Sequence, residues 1–303
     1  MNRGIAMEIE NGVLKSGSPK DNTTAVTIPD HVTTIGHGAF LGFHNLQTVT
    51  VPEGVKSIEQ KAFIFCQNLQ NITLPSSLRV IGKQCFCMCT SLKKIIIPNG
   101  VKEIKEEAFL QCSSLQNISI PRSVTTIGSA AFCMCSSLEC ITIPDSVQEL
   151  DSLIVLSCDH LRHLYYGSAV LDVDNDYHMD NLNSDLHAAN EMLRTLNFEN
   201  DLPEQVKIPT VLSYCRNHSG NQLLAYLRKN AEKILSYLFE REDLDGANIL
   251  LQKENVITDF NTMAQILDNS IQHSQNGGSP EFQMQLMRYA NRFFPAETKH
   301  YRL

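Results

Sequence analysis

The chain has 303 residues, 43% of them hydrophobic, with 33 acidic against 25 basic side chains and a formal net charge of −8. That apolar content can fill one or two cores, while the acidic balance, concentrated after residue 166 and relieved by no strong basic patch, argues against nucleic acid as a partner. No stretch is long and apolar enough to span a bilayer and residues 1–10 lack a signal-like apolar run, so a soluble, cytoplasmic protein is expected, with a cell-surface or secreted location open if the N-terminus is incomplete.

Residues 1–25 read as an N-terminal cap. Residues 7–14 look like a strand and turn, followed by a polar run at Ser16, Gly17, Ser18 and Pro19. A cap is needed because residues 26–166 are a repeat, and the end of a stack of repeats exposes apolar surface and an unpaired strand edge.

The repeat is marked by Pro29, Pro52, Pro75, Pro98, Pro121 and Pro144, each 23 residues after the last. Before each proline, apolar residues alternate: Val26 and Ile28, Val49 and Val51, Ile72 and Leu74, Ile95 and Ile97, Ile118 and Ile120, Ile141 and Ile143. Alternation of this kind predicts a short strand with one buried face. After the proline come the columns Val32, Val55, Leu78, Val101, Val124, Val147 and Ile35, Ile58, Ile81, Ile104, Ile127, Leu150. Then follow pairs such as Ala39-Phe40, Ala62-Phe63 and Cys85-Phe86, a cysteine column, and the leucines Leu46, Leu69, Leu92, Leu115, Leu138 and Leu161.

At these residues the chain resembles the BspA-like class of the leucine-rich repeat family, over roughly residues 24–166. The resemblance implies an α/β repeat solenoid, each turn giving one short strand to a parallel sheet and an irregular or helical segment to the other face. It also implies a bacterial cell-surface adhesin that binds host or bacterial surface proteins. Proline, lacking an N–H, fits the end of such a strand.

The repeat also accounts for most of the cysteines. Cys66, Cys89, Cys112, Cys135 and Cys158 share a column with Phe43; Cys87 and Cys133 share one with Leu41, Ile64, Leu110 and Leu156; Cys85 stands in an alanine column. The run 85–89 is therefore packing rather than a soft-metal cluster. Cys215 and His218 form a C-x-x-H pair with no second half-site, so neither metal nor other cofactor is expected. Neighbouring column cysteines fall within disulfide reach, yet their side chains run parallel, and reduced thiols are the expectation.

The outward positions of the strands are the candidate protein-binding surface: Thr48, Thr50, Asn71, Thr73, Lys94, Ile96, Asn117, Ser119, Cys140, Thr142, Arg162, His163 and Tyr165. Repeat proteins bind on this concave face, although a merely solvated strand face would carry similar threonine, asparagine and serine. Binding is favoured at the C-terminal end, where Arg162, His163, Tyr165 and Tyr166 gather, unless that cluster contacts the next domain.

Residues 167–204 read as an acidic linker with one short helix near 186–196. Asp172, Asp174 and Asp176 mimic the opening of a calcium loop, but Tyr177 stands where glycine is needed and Asn183 where a bidentate glutamate belongs. Residues 205–296 form a small all-α domain. Apolar residues at helical spacing predict helices near 221–239, from Leu244, from Phe260, and from Pro280 with Ser279 as N-cap. Its expected role is to cap the solenoid or add a second contact.

No nucleophile elbow, H-E-x-x-H, P-loop or dinucleotide fingerprint occurs. The expected function is a non-enzymatic interaction module for an unidentified protein partner, with the surface adhesin as the alternative.

Overall fold

A computed structural model describes residues 5–19, 23–151, 153–173, 181–198, 200–216, 218, 220–253, 256–276, 278–295 and 298. Its contacts divide the chain into two compact units, residues 1–187 and 188–303.

The first unit opens with an antiparallel hairpin, β1 (Ile5–Glu10) and β2 (Val13–Pro19). Asn11 and Gly12 make its turn at φ 50° and 78°, the left-handed pair that Asn-Gly adopts at least cost. Most of the following turns place a first strand just before the proline and a shorter second strand after it. The first-turn pair is β3 (Ala25–Thr27) and β4 (Thr34–Ile35), the next β5 (Thr48–Thr50) and β6 (Ser57–Ile58), then β7 (Asn71–Thr73) and β8 (Val80–Ile81). Farther on come β9 (Glu103–Ile104), β10 (Asn117–Ser119), β11 (Thr126–Ile127), β12 (Cys140–Ile143) and β13 (His163–Tyr166). Equivalent residues pair in parallel, Val26 with Val49 with Ile72 and Ile118 with Ile141 with Leu164. Their side chains point into the core while flanking residues face outward, as the alternation requires.

Two features differ from the expectation of one strand per turn in an unbroken sheet. The isoleucine column of Ile35, Ile58, Ile81, Ile104 and Ile127 forms a second parallel sheet, to which β2 adds through Leu14 and Ile35. Two-residue strands are too short for alternation to reveal. The fourth turn has no first strand: residues 94–97 are described, yet Ile95 and Ile97 fill their core columns without a ladder, dividing the first sheet between β7 and β10.

Between second and first strands, each turn is a run of tight turns rather than a helix. Two positions per turn lie in the left-handed region: Gly38 and Gly42, Lys61 and Phe65, Gln84 and Met88, Glu107 and Gln111, Ala130 and Met134. This geometry lets N–H groups donate along the stack. Phe40, Phe63, Phe86 and Phe109 donate to the carbonyls of Ala62, Cys85, Ala108 and Ala131 at 2.8–2.9 Å. The rings of Phe40, Phe63, Phe86, Phe109 and Phe132 stack in file, with centroids 5.0–5.4 Å apart. All five are fully buried, and each aromatic contact adds about 0.5–1.5 kcal/mol beyond burial.

Beyond β13 the chain turns back as β14 (Ala169–Asp172), antiparallel to it. The helix α1 (Leu182–Thr195) comes next, and the boundary between the units falls within it. In its first turns Asn183 Oδ1 accepts from Leu150 N at 3.1 Å, and His187 Nε2 lies 2.9 Å from Gln148 O. Thus part of the expected linker at 167–204 is a sheet strand and a helix that closes the last turn. Asp174, Asp176 and Tyr177 of the calcium-like run lie outside the described residues.

The second unit contains α2 (Glu204–Cys215), α3 (Asn221–Glu240), α4 (Leu244–Leu251), α5 (Phe260–Gln275) and α6 (Pro280–Phe293). Leu227, Ile234, Leu250, Leu267 and Leu286 belong to its shared core. Asp243, Asp259 and Ser279 cap α4, α5 and α6 by accepting from Gly246, Thr262 and Glu281 N–H groups. Helicity begins at Glu204, and α2 encloses Pro209; the bond that proline cannot donate is offset by burial of Val206, Ile208, Val211 and Leu212.

Candidate protein-binding surface

The outward face of the first-strand sheet is built from rows set by register. One row runs Ala25, Thr48, Asn71 and, beyond the break, Asn117, Cys140, His163, with Asp172 opposite His163. The next runs Thr27, Thr50, Thr73, then Ser119, Thr142, Tyr165. Alongside lie Gln47, Gln70, Lys93, Gln116, Glu139 and Arg162, all exposed. Gln70, Glu139 and Arg162 each donate N–H to the carbonyl one turn earlier at 2.8–2.9 Å.

Thr48, Thr50, Asn71, Thr73, Asn117, Ser119, Arg162 and His163 are exposed on the strands or at their start, and Thr142 and Tyr165 are half-buried. Lys94 and Ile96 are exposed but stand on the strandless fourth turn, a correction to their expected place in the sheet. Ile96 is 71% exposed, against 36–52% for the other exposed large apolar side chains among the described residues. Tyr166 departs from its expected cluster. It is buried, and its hydroxyl donates to Val147 O at 2.7 Å and lies 3.0 Å from His187 Nε2. Tyr166 therefore packs under the first turns of α1 and takes no part in the outward face.

Sequence reasoning missed one partnership. His163 Nδ1 lies 2.8 Å from Asp172 Oδ1 across β13 and β14. Only the continuation of the sheet past residue 166 would have exposed it. Also missed was a second apolar edge, where Leu41, Phe65, Met134 and Leu156 emerge from the turn segments.

Among the described residues no group of three or more His, Cys, Asp or Glu is placed to hold a metal. All ten cysteines are free. Burial pushes the Cys66 and Cys158 thiols up to about 12 and raises those of Cys89, Cys112 and Cys135. The helices among the described residues include none long and apolar enough to cross a membrane.

Known proteins bear on the repeat half of the chain. The family model described as BspA type leucine rich repeat region matches six copies across residues 18–114 and 56–185. A leucine-rich repeat protein of T. pallidum is 29% identical, with a TM-score of 0.50; the match covers 55% of this chain and 85% of that one. A leucine-rich repeat protein from Bacteroides ovatus is 32% identical with a TM-score of 0.49, and the match covers 54% of this chain and 46% of that one. No curated protein matches the chain.

Proposed function

We propose, because the chain belongs to the BspA-type leucine-rich repeat family, that it is a non-enzymatic protein-binding scaffold whose outward sheet face receives a protein partner. The observation that carries this reading is the relief of that face. Rows of threonine, asparagine and serine form a polar field, and Ile96, beside Lys93 and Lys94, stands between its two halves at 71% exposure. Arg162 and Tyr165 stand at its C-terminal end. An apolar or aromatic anchor in a polar surround is the anatomy of an interface. Ten free cysteines support a reducing compartment.

The test is affinity capture with the whole chain and a Lys94→Glu, Asn117→Arg, Tyr165→Ala variant, each against the soluble lysate and the surface fraction of the organism that makes it. A protein captured by the first and lost by the second supports the reading. Equal capture by both removes the sheet face from it. Capture confined to the surface fraction favours the adhesin form of the same function.

A further inference from the structure

The helical unit carries a cleft of its own. It lies between α4 and α6, has a volume of about 180 Å³, and is lined by Asn248 and Leu251 on one side and by Gln285, Arg288, Arg292 and Phe293 on the other. Gln285, Arg288 and Arg292 follow one another along α6 at helical spacing, so they share one face of that helix. Leu251 and Phe293 give the cleft an apolar wall.

Two features of this lining are unsatisfied. Arg194 and Lys233 of the same unit meet the carboxylates of Glu191 and Glu204, each at 2.7 Å. Arg288 and Arg292 meet no carboxylate among the described residues, although like charges four residues apart on a helix repel. The Arg292 guanidinium stands instead 4.9 Å from the centre of the Phe293 ring. The second feature is Gln285 Oε1, a buried acceptor with no hydrogen-bond partner among the described residues. A buried acceptor left unpaired is costly, and one in the lining of a cleft points to a donor that enters with a ligand.

Together these features call for an anion with an N–H group beside it. A carboxylate matches the guanidinium forks. A phosphate monoester dianion or a sulfate would match them too, yet neither brings a donor for Gln285. The last residue of a peptide has both groups on one α-carbon, the carboxylate on one side and the backbone N–H on the other.

We propose that this cleft binds the C-terminal residue of a protein partner. Arg288 and Arg292 receive its α-carboxylate, Gln285 Oε1 accepts from its backbone N–H, and Leu251 and Phe293 take an apolar side chain. The site lies wholly within the second unit and does not rest on the sheet-face reading.

The experiment measures, by fluorescence anisotropy on the full chain, the binding of two fluorescein-labelled peptides that end in Ala-Ala-Leu, one with a free carboxylate and one amidated. The free acid is expected to bind at least about tenfold more tightly than the amide, and sulfate at matched ionic strength should not displace it. Arg288→Gln and Arg292→Gln should each weaken the free acid at least about tenfold, with circular dichroism and thermal midpoint close to the parent. Methylation of the terminal leucine nitrogen should weaken binding to the parent but not to Gln285→Leu, which has already lost the acceptor. Equal binding of acid and amide, no binding of the free acid at millimolar concentration, or displacement by sulfate overturns the proposal. So does unchanged affinity in the folded arginine variants, or a methylation penalty that persists in Gln285→Leu.

Discussion

Cys89 Sγ donates a hydrogen bond to the carbonyl oxygen of Phe63, 3.3 Å away and one turn earlier in the stack. The same bond joins Cys66 to Phe40, Cys112 to Phe86, Cys135 to Phe109 and Cys158 to Phe132, at 3.1–3.2 Å. The column is more than a set of small core hydrophobes, because the thiol hydrogen ties each turn to the one before. Each bond exists only while the sulfur is protonated, and burial keeps it so by pushing Cys66 and Cys158 up to about 12.

Stability should therefore fall in alkaline solution. In the unfolded chain these thiols ionise near their ordinary value of 9.0, whereas Cys66 and Cys158 hold their protons to about 12. The folded state thus binds more protons between those values, and stability declines as pH rises through that window, by up to about 1.4 kcal/mol per pH unit for each such thiol. Alkaline unfolding followed by circular dichroism should be steep between about pH 9 and 12 and shallower in a Cys66→Val, Cys112→Val, Cys158→Val variant. An identical slope in the two proteins would show that the column does not control it.

The stacked phenylalanines make a second prediction. Phe86 lies between Phe63 and Phe109, with centroids 5.4 and 5.3 Å away. Phe86→Ala should cost about 3–5 kcal/mol, from lost burial and the cavity left behind, and Phe86→Leu distinctly less. Urea titrations would measure both. A loss under about 1 kcal/mol for Phe86→Ala would mean that neighbouring turns collapse into the gap.

Backbone conformation supplies a third. Gln111 holds φ at 59° and donates its N–H to Cys133 O at 2.9 Å. An L-residue loses roughly 1–2 kcal/mol in that region, and a β-branched one loses more. Gln111→Gly should be neutral or stabilising, while Gln111→Val should lower the thermal midpoint. Equal effects of the two changes would show that backbone strain at this position is immaterial.

These relationships divide what the sequence discloses from what it hides. The prolines and the alternating Val and Ile positions report a 23-residue period and the first strand directly, because each is repeated in register. The helices from Asn221 and Phe260 are legible for a similar reason, since their buried residues recur at helical spacing. The left-handed positions are not legible: after Gly38 and Gly42 they are filled by Lys61, Phe65, Gln84 and Met88, which carry no composition signal. The helix α2 itself carries no clear signal, because it encloses Pro209 and only packing carries the helix through it. Of the candidate surface, alternation identifies the outward strand residues. It cannot show that the fourth turn lacks a strand, nor that the chain doubles back after Tyr166 to set Asp172 against His163.

A fourth prediction separates binding from folding on the proposed face. Ile96 is 71% exposed while its neighbours Ile95 and Ile97 are 4% and 5% exposed, so one apolar stretch carries both roles at alternate positions. Ile95→Asp should unfold the repeat, because it buries an unpaired charge. Ile96→Asp should leave stability within about 0.5 kcal/mol of the parent, as for other surface changes. If Ile96 anchors the partner, that same substitution should weaken capture at least about tenfold, a loss of about 1.4 kcal/mol in binding. Thermal unfolding and affinity measured on the same preparation read the two roles apart. Undiminished capture by a folded Ile96→Asp chain would move the contact away from the fourth turn, toward Arg162 and Tyr165 at the end of the face.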